Sequence, residues 1–152
     1  MESMITLVYK IKTAVQQEIY LHLKECNTNF IPPLDSKVNI QEYSKKLFEK
    51  SVTFEAWEDS VLVGMIAAYM NDIENKSGFI TNVTTLKEYK GKGIASELIK
   101  RCIDYTRKHN FKEILLEVSG KNTEAIHLYT KFGFKEIEKK NIDIIMKLEL
   151  NK

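Results

Sequence analysis

The segment Lys87-Glu-Tyr-Lys-Gly-Lys-Gly-Ile-Ala-Ser96 has residue types and spacing suited to holding an anion. Gly91 and Gly93 leave the backbone unshielded, so amide N–H groups there can approach a ligand closely. From Ile94 a strongly periodic helix begins, with Ile94, Leu98, Ile99, Cys102 and Tyr105 on one side. The first amides of a helix have no internal partner and carry the positive end of the macrodipole. Loop and helix start together make an anion site, and Lys90 and Lys92 add charge at its rim. A P-loop needs Lys-Ser/Thr after its last glycine, whereas Gly93 is followed by Ile94-Ala95. A dinucleotide fingerprint needs a third small residue and follows the first strand of its unit, whereas this segment follows several strands. A basic, glycine-containing surface turn is the plain alternative.

A second segment runs from Asn122 to Phe134. Asn122 reads as an N-cap, and Gly133 as a left-handed residue past the helix end, with Phe134 making the contact that follows. Ala125, Leu128, Tyr129 and Phe132 form a helical stripe, which buries the Tyr129 ring; His127 lies off it. A buried tyrosine needs a partner for its hydroxyl. Glu117 is a charge within the apolar run Ile114-Leu-Leu-Glu-Val118. It reads equally as a general base and as a strand-end carboxylate that faces water or pairs with Lys121.

Lys90-Gly91-Lys92-Gly93-Ile94-Ala95 resembles the Arg/Gln-x-x-Gly-x-Gly/Ala signature of the GNAT superfamily of N-acetyltransferases, with lysine in the first position. Asn122-x-x-Ala-x-x-Leu-Tyr-x-x-x-Gly-Phe134 is similar to a second motif of the same family. The resemblance covers roughly Leu62 to Leu148. It implies that Lys90, Gly91, Lys92, Gly93, Ile94, Ala95 and Ser96 hold the pyrophosphate of acetyl-CoA. Val83, Thr84 and Thr85 would offer amides to pantetheine and the thioester carbonyl from a bulged strand, and Asn122 would lie near pantetheine. The resemblance makes Tyr129 the acid that assists the leaving thiolate. Leu116-Glu117-Val118 is similar to a segment of ribosomal-protein N-terminal alanine acetyltransferases, which makes Glu117 the base.

The elements that must position these residues follow from periodicity and breakers. Strands are expected over Ile5–Lys10, Thr53–Glu58, Leu62–Asn71, Gly78–Leu86, Ile114–Val118, Phe134–Glu138 and Ile142–Leu148. Helices are expected over Lys12–Cys26, Asn39–Lys50, Ile94–Lys108 and Asn122–Phe132. Asn27–Asp35 reads as a loop, and Lys139-Lys140-Asn141 as the last hairpin turn. This order predicts an α/β fold with a mixed, largely antiparallel sheet of six to seven strands and helices on both faces. A single domain spanning 1–152 fits the length of 152 residues.

The net charge is +2 with the signs mixed, which gives no basic stripe for nucleic acid. Cys26 and Cys102 lie outside metal or redox spacings and read as small apolar residues of a reducing compartment. No metal site is expected. The first residues lack a signal-peptide pattern, and no apolar run is long enough for a bilayer. A soluble, cytoplasmic protein is expected, with a homodimer left open.

The expected activity is transfer of acetyl from acetyl-CoA to a primary amine, by direct attack in a ternary complex. The rival is a non-catalytic acyl-CoA-binding or sensor module on the same fold; another nucleotide-phosphate binder is a third reading. In the resembled family the acceptor site is built by the first two helices, their loop and the last hairpin. Here the loop offers Phe30, Pro32, Pro33 and Leu34, and the hairpin turn lacks aromatic residues. That weighs against a peptide amine and leaves small amines open, amino sugars among them.

Overall fold

The computed structural model describes residues 6–150. In chain order the elements are β1 (Val8–Ile11), α1 (Gln16–Cys26), α2 (Ile40–Lys50), β2 (Val52–Glu58), β3 (Val61–Asp72) and β4 (Ser77–Thr85). Then follow α3 (Ile94–Lys108), β5 (Glu113–Ser119), α4 (Thr123–Lys131), β6 (Lys135–Lys140) and β7 (Asp143–Glu149). Short 3-10 turns cover Asn27–Asn29, Leu34–Ser36 and Lys87–Tyr89. The seven strands form one sheet in the order β1-β2-β3-β4-β5-β7-β6. Every neighbouring pair is antiparallel except β4 and β5. That parallel pair needs a crossover, and α3 supplies it.

Helices cover both faces, so central strands are apolar on both sides. Along β3, Met65 and Ala67 face α1 and α2, while Ile66 and Ala68 face α3. Ile19, Leu23, Leu34 and Leu47 pack with the first set; Leu98, Ile99 and Cys102 pack with the second. Each fully buried leucine or isoleucine contributes about 1.5–3 kcal/mol. Gly64 lets α3 press onto the sheet: a Cβ there would lie 2.6 Å from Ile94 Cγ2. This contact fixes the first turn of α3, and with it the glycine loop.

The expected elements are present with shifted bounds. Ile5 lies outside the described residues, and β1 runs from Val8 to Ile11. α1 begins at Gln16 rather than Lys12, because Lys12 has φ 56°, outside the right-handed helical region, and Val15 is an extended N-cap at φ −89° and ψ 167°; the Thr13 and Ala14 amides before it donate to the buried Glu55 carboxylate. The loop expected over Asn27–Asp35 contains two 3-10 turns. β6 extends to Lys140, so the last turn is Asn141-Ile142, with Asn141 at φ 58°, a conformation asparagine tolerates. Among the described residues no helix is long and apolar enough to cross a membrane.

Candidate active site

The parallel ladder between β4 and β5 is short. It pairs Ser77 to Ile80 with Glu113 to Leu116 and then stops, although β4 continues to Thr85 and β5 to Ser119. A register shift at Thr81 accompanies the divergence, since Ala68 pairs Ile80 while Ala67 pairs Asn82, and such a bulge bends its strand. The gap opens into a cavity of about 780 Å³, within the ordinary range for a ligand site.

The edge of β4 supplies free amides to this gap. Leu86 donates to the Val63 carbonyl at 2.9 Å, and bonded pairs alternate along an antiparallel ladder. Thr84 and Asn82 therefore turn their N–H groups toward β3, and Val83 and Thr85 turn theirs toward the gap. Of the three residues expected to offer amides, Thr84 lines the cavity but its amide points the other way.

The glycine loop closes one end. Gly91 and Gly93 have φ of 80° and 81°, in the left-handed region, and nothing lies within 4 Å of where a Cβ would stand. Gly93 is the N-cap of α3, and no side chain caps it. The first intrahelical bond is Glu97 N–H to the Gly93 carbonyl at 3.1 Å. The amides of Ile94, Ala95 and Ser96 thus have no helical partner. Lys90, Gly91, Gly93, Ile94, Ala95 and Ser96 all line the cavity. Lys92 is exposed and is not among the lining residues. An uncapped helix start beside open glycine backbone fits a pyrophosphate.

α4 forms the wall beyond β5. Asn122 caps it by accepting from Ala125 N–H at 3.2 Å, and also lines the cavity. Gly133 N–H donates to the Thr130 carbonyl and Phe134 N–H to that of Tyr129, the paired bonds of a Schellman end. Tyr129 is 7% exposed and lines the cavity. No described residue hydrogen-bonds its hydroxyl, and burial alone pushes its pKa up to about 12. It therefore stays a protonated phenol at neutral pH. His127 is exposed at the rim.

Glu117 lies on the opposite face of β5 from Leu116 and Val118, the face that carries α1 and α2 elsewhere in the sheet. It is exposed and lines both the main cavity and an adjoining pocket of about 250 Å³ with Lys37, Thr81, Ser119 and Asp143. Among the described residues it has no ion-pair partner, Lys121 included. The segment between α1 and α2 reaches the cavity through Phe30, Leu34, Lys37 and Val38. Residues 138–142 line neither space; of the last hairpin only Asp143 does.

Two lining residues carry polar groups that sequence reasoning missed. Tyr43 of α2 bonds Thr81 through its hydroxyl, at 2.8 Å to Oγ1, and burial pushes its pKa up to about 12. Asn82 is 3% exposed and lines the cavity. An asparagine inside a strand, where that residue is depleted, was the available signal. The thiols of Cys26 and Cys102 are free and buried, and burial pushes both up to about 12; neither is a ready nucleophile. Among the described residues no three or more His, Cys, Asp or Glu are grouped to hold a metal ion.

Residues 16–134 match the model of the acetyltransferase (GNAT) family. The chain is 35% identical over 82 residues to N-alpha-acetyltransferase MAK3 of Arabidopsis thaliana, covering 53% of this chain and 43% of that one. It is 31% identical over 112 residues to spermidine N(1)-acetyltransferase of Vibrio cholerae, covering 70% and 64%. The match thus spans less than two thirds of these relatives. PaiA N-acetyltransferase of Thermoplasma acidophilum, solved in complex with coenzyme A, superimposes with a TM-score of 0.74 at 18% identity, covering 93% of this chain and 99% of that one. With its sheet parted between β4 and β5 over an uncapped glycine loop, and with more than half its length matching the family model, this chain belongs to the GNAT acetyltransferase family.

Proposed function

We propose that this protein transfers the acetyl group of acetyl-CoA to a primary amine by direct attack in a ternary complex. The observation that carries the reading is the unpartnered hydroxyl of the buried Tyr129 ring on a cavity into which the Val83 and Thr85 amides also turn. The free amides of Gly93 to Ser96 and the Lys90 ammonium suit the donor's pyrophosphate. A β4 amide, Val83 in the first place, would hydrogen-bond the thioester carbonyl oxygen as negative charge develops there. Glu117, directly or through water, would take the proton that an alkylamine carries at neutral pH. The amine nitrogen bonds to the carbonyl carbon and sheds its second proton to solvent, the C–S bond breaks, and the thiolate takes the Tyr129 proton. The phenol is then restored from solvent. The two high-pKa cysteines leave a covalent acyl-enzyme without a candidate thiolate.

The acceptor is read as a small primary amine or a peptide α-amine. The names of the relatives span both classes, with N-alpha-acetyltransferase and spermidine N(1)-acetyltransferase. The carboxylates of Glu117 and Asp143 on the adjoining pocket suit an ammonium group.

The test has two arms. Acetyl-CoA should raise the melting temperature by binding only the folded chain, and Gly93→Val should abolish the shift by closing the cradle. A panel of amines with thiol detection should then give coenzyme A release that depends on the amine. A shift without release under any amine would favour the non-catalytic binding module. A folded Gly93→Val chain with an undiminished shift would remove the cradle assignment.

A further inference from the structure

His22 of α1 and Thr84 and Asn82 of β4 form a polar chain inside the protein, at 3%, 6% and 3% exposure. His22 Nδ1 lies 2.9 Å from the Leu62 carbonyl oxygen, and Nε2 lies 2.8 Å from Thr84 Oγ1. Thr84 Oγ1 lies 3.0 Å from Oδ1 of the Asn82 amide. The other end of that amide, Nδ2, is buried with no partner, and Asn82 lines the cavity. The Asn82 side chain lies near the Tyr43 hydroxyl and opposes the rise of its pKa, but the bonds of that hydroxyl go to the carbonyl and hydroxyl of Thr81.

Counting hydrogens gives this chain a direction. A carbonyl oxygen only accepts, so His22 Nδ1 carries the hydrogen. Burial keeps the ring neutral, with its pKa lowered to about 4, so Nε2 offers a lone pair. It must accept from the Thr84 hydroxyl. That hydroxyl has one hydrogen, and once it is given to His22 only lone pairs are left for Asn82. The amide end that meets Thr84 must then be the donor. Amide nitrogen and oxygen are distinguished by such partners, and a half-turn of the Asn82 amide gives each contact from Leu62 to Asn82 a donor and an acceptor. Nδ2–H then donates to Thr84, Thr84 O–H to His22 Nε2, and His22 Nδ1–H to Leu62. The atom left without a partner is Oδ1, a buried acceptor. Leaving such an atom unsatisfied is costly, and a donor on a ligand would offset that cost.

We propose that Asn82 positions the acceptor: its amide oxygen, locked through Thr84 and His22, receives an N–H of the amine in the cleft. Asn82 and Glu117 stand on the two strands that diverge at the gap. Both lie on the face toward α1 and α2, since Asn82 pairs with Ala67 of that core. The amine thus meets an uncharged oxygen on the β4 side and a carboxylate on the β5 side. The neutral oxygen orients the nitrogen without competing for its proton, which the carboxylate takes. The role rests on the acetyltransferase reading above.

The experiment uses the whole chain, with spermidine and a tetrapeptide bearing a free N-terminus as acceptor probes. At neutral pH, nitrogen-15 NMR of the unmutated protein should show His22 protonated at Nδ1 and bare at Nε2. Asn82→Ala should lower kcat/KM for the amine by about tenfold or more, the scale of one hydrogen bond to a charged or buried polar group. The acetyl-CoA melting shift should stay unchanged. Thr84→Val, which unlocks the amide, should lower the same parameter, and Thr84→Ser, which restores the hydroxyl, should recover it. A bare Nδ1, or an imidazolium at neutral pH, overturns the proposal. So does an Asn82→Ala chain with wild-type kcat/KM on an amine that the wild type acetylates. A wild type that releases no coenzyme A with either amine overturns the acetyltransferase reading instead, and this role with it.

Discussion

Phe134 donates its backbone N–H to the Tyr129 carbonyl at 3.1 Å while the two rings pack with centroids 5.9 Å apart. The bond that ends α4 and the contact that holds the Tyr129 ring are one device. The ring is therefore fixed by packing, and its hydroxyl is left for the cavity. Tyr129→Phe keeps the device and deletes the hydroxyl. Stability should move by less than about 1 kcal/mol, because no protein hydrogen bond is lost. Turnover should fall by roughly 10²-fold or more, the usual scale of general-acid help, with acetyl-CoA affinity unchanged. Single-turnover rates and thermal melts on both chains check this. Wild-type turnover in the variant would reduce Tyr129 to a packing residue.

Glu117→Gln separates a protein base from a water chain. With Glu117 as base, the variant should be slowest relative to wild type at low pH, where the amine arrives protonated. The difference should close toward pH of about 10, where an alkylamine loses its proton unaided. The pH profile of kcat/KM for the amine is the measurement. Parallel profiles would take Glu117 out of the mechanism.

Glu55 lies wholly inside the protein on β2 and accepts from five donors. They are the Thr13 and Ala14 amides, the Thr13 and Thr53 hydroxyls and the Trp57 indole. Both carboxylate oxygens hold at least two of these. Glu55→Gln turns an NH₂ toward two or more of them and should cost about 3 kcal/mol or more. For a chain of this size that is a fall of roughly 6–12 °C in Tm. A melting temperature within about 2 °C of wild type would show that the network contributes little.

His22 should make the protein acid-labile. Its folded pKa is lowered to about 4 by burial, from the ordinary imidazole value of 6.5. Below pH 6.5 the unfolded chain takes a proton that the folded chain refuses, so stability rises with pH across this window. It is complete above pH 6.5 and declines as pH falls toward 4, by about 3 kcal/mol in all. Urea midpoints from pH 7 to pH 4.5 should fall for the wild type and fall less for His22→Gln. Equal slopes for the two chains would reject His22 as the source.

The amino-acid sequence alone determined the features that close within a few residues. The glycines before Ile94, the Asn122 cap and the Gly133-Phe134 end are each set by bonds spanning three to five positions. The Tyr129 stripe follows from helical period, and the same periodicity fixed α3 over Ile94–Lys108. The start of α1 was not legible, because Glu55, some forty positions away, holds the Thr13 and Ala14 amides of the non-helical stretch that precedes it. The direction of the Thr84 amide depends on which ladder bonds β4 makes with β3, and the gap depends on β4 and β5 parting after Ile80 and Leu116. Asn82 acquires its lock from His22 by way of Thr84, a contact across 62 positions. Local pattern carries no information about such pairs. Only the packing of α1 on the sheet, driven by burial of apolar faces on both sides, brings them within hydrogen-bonding reach.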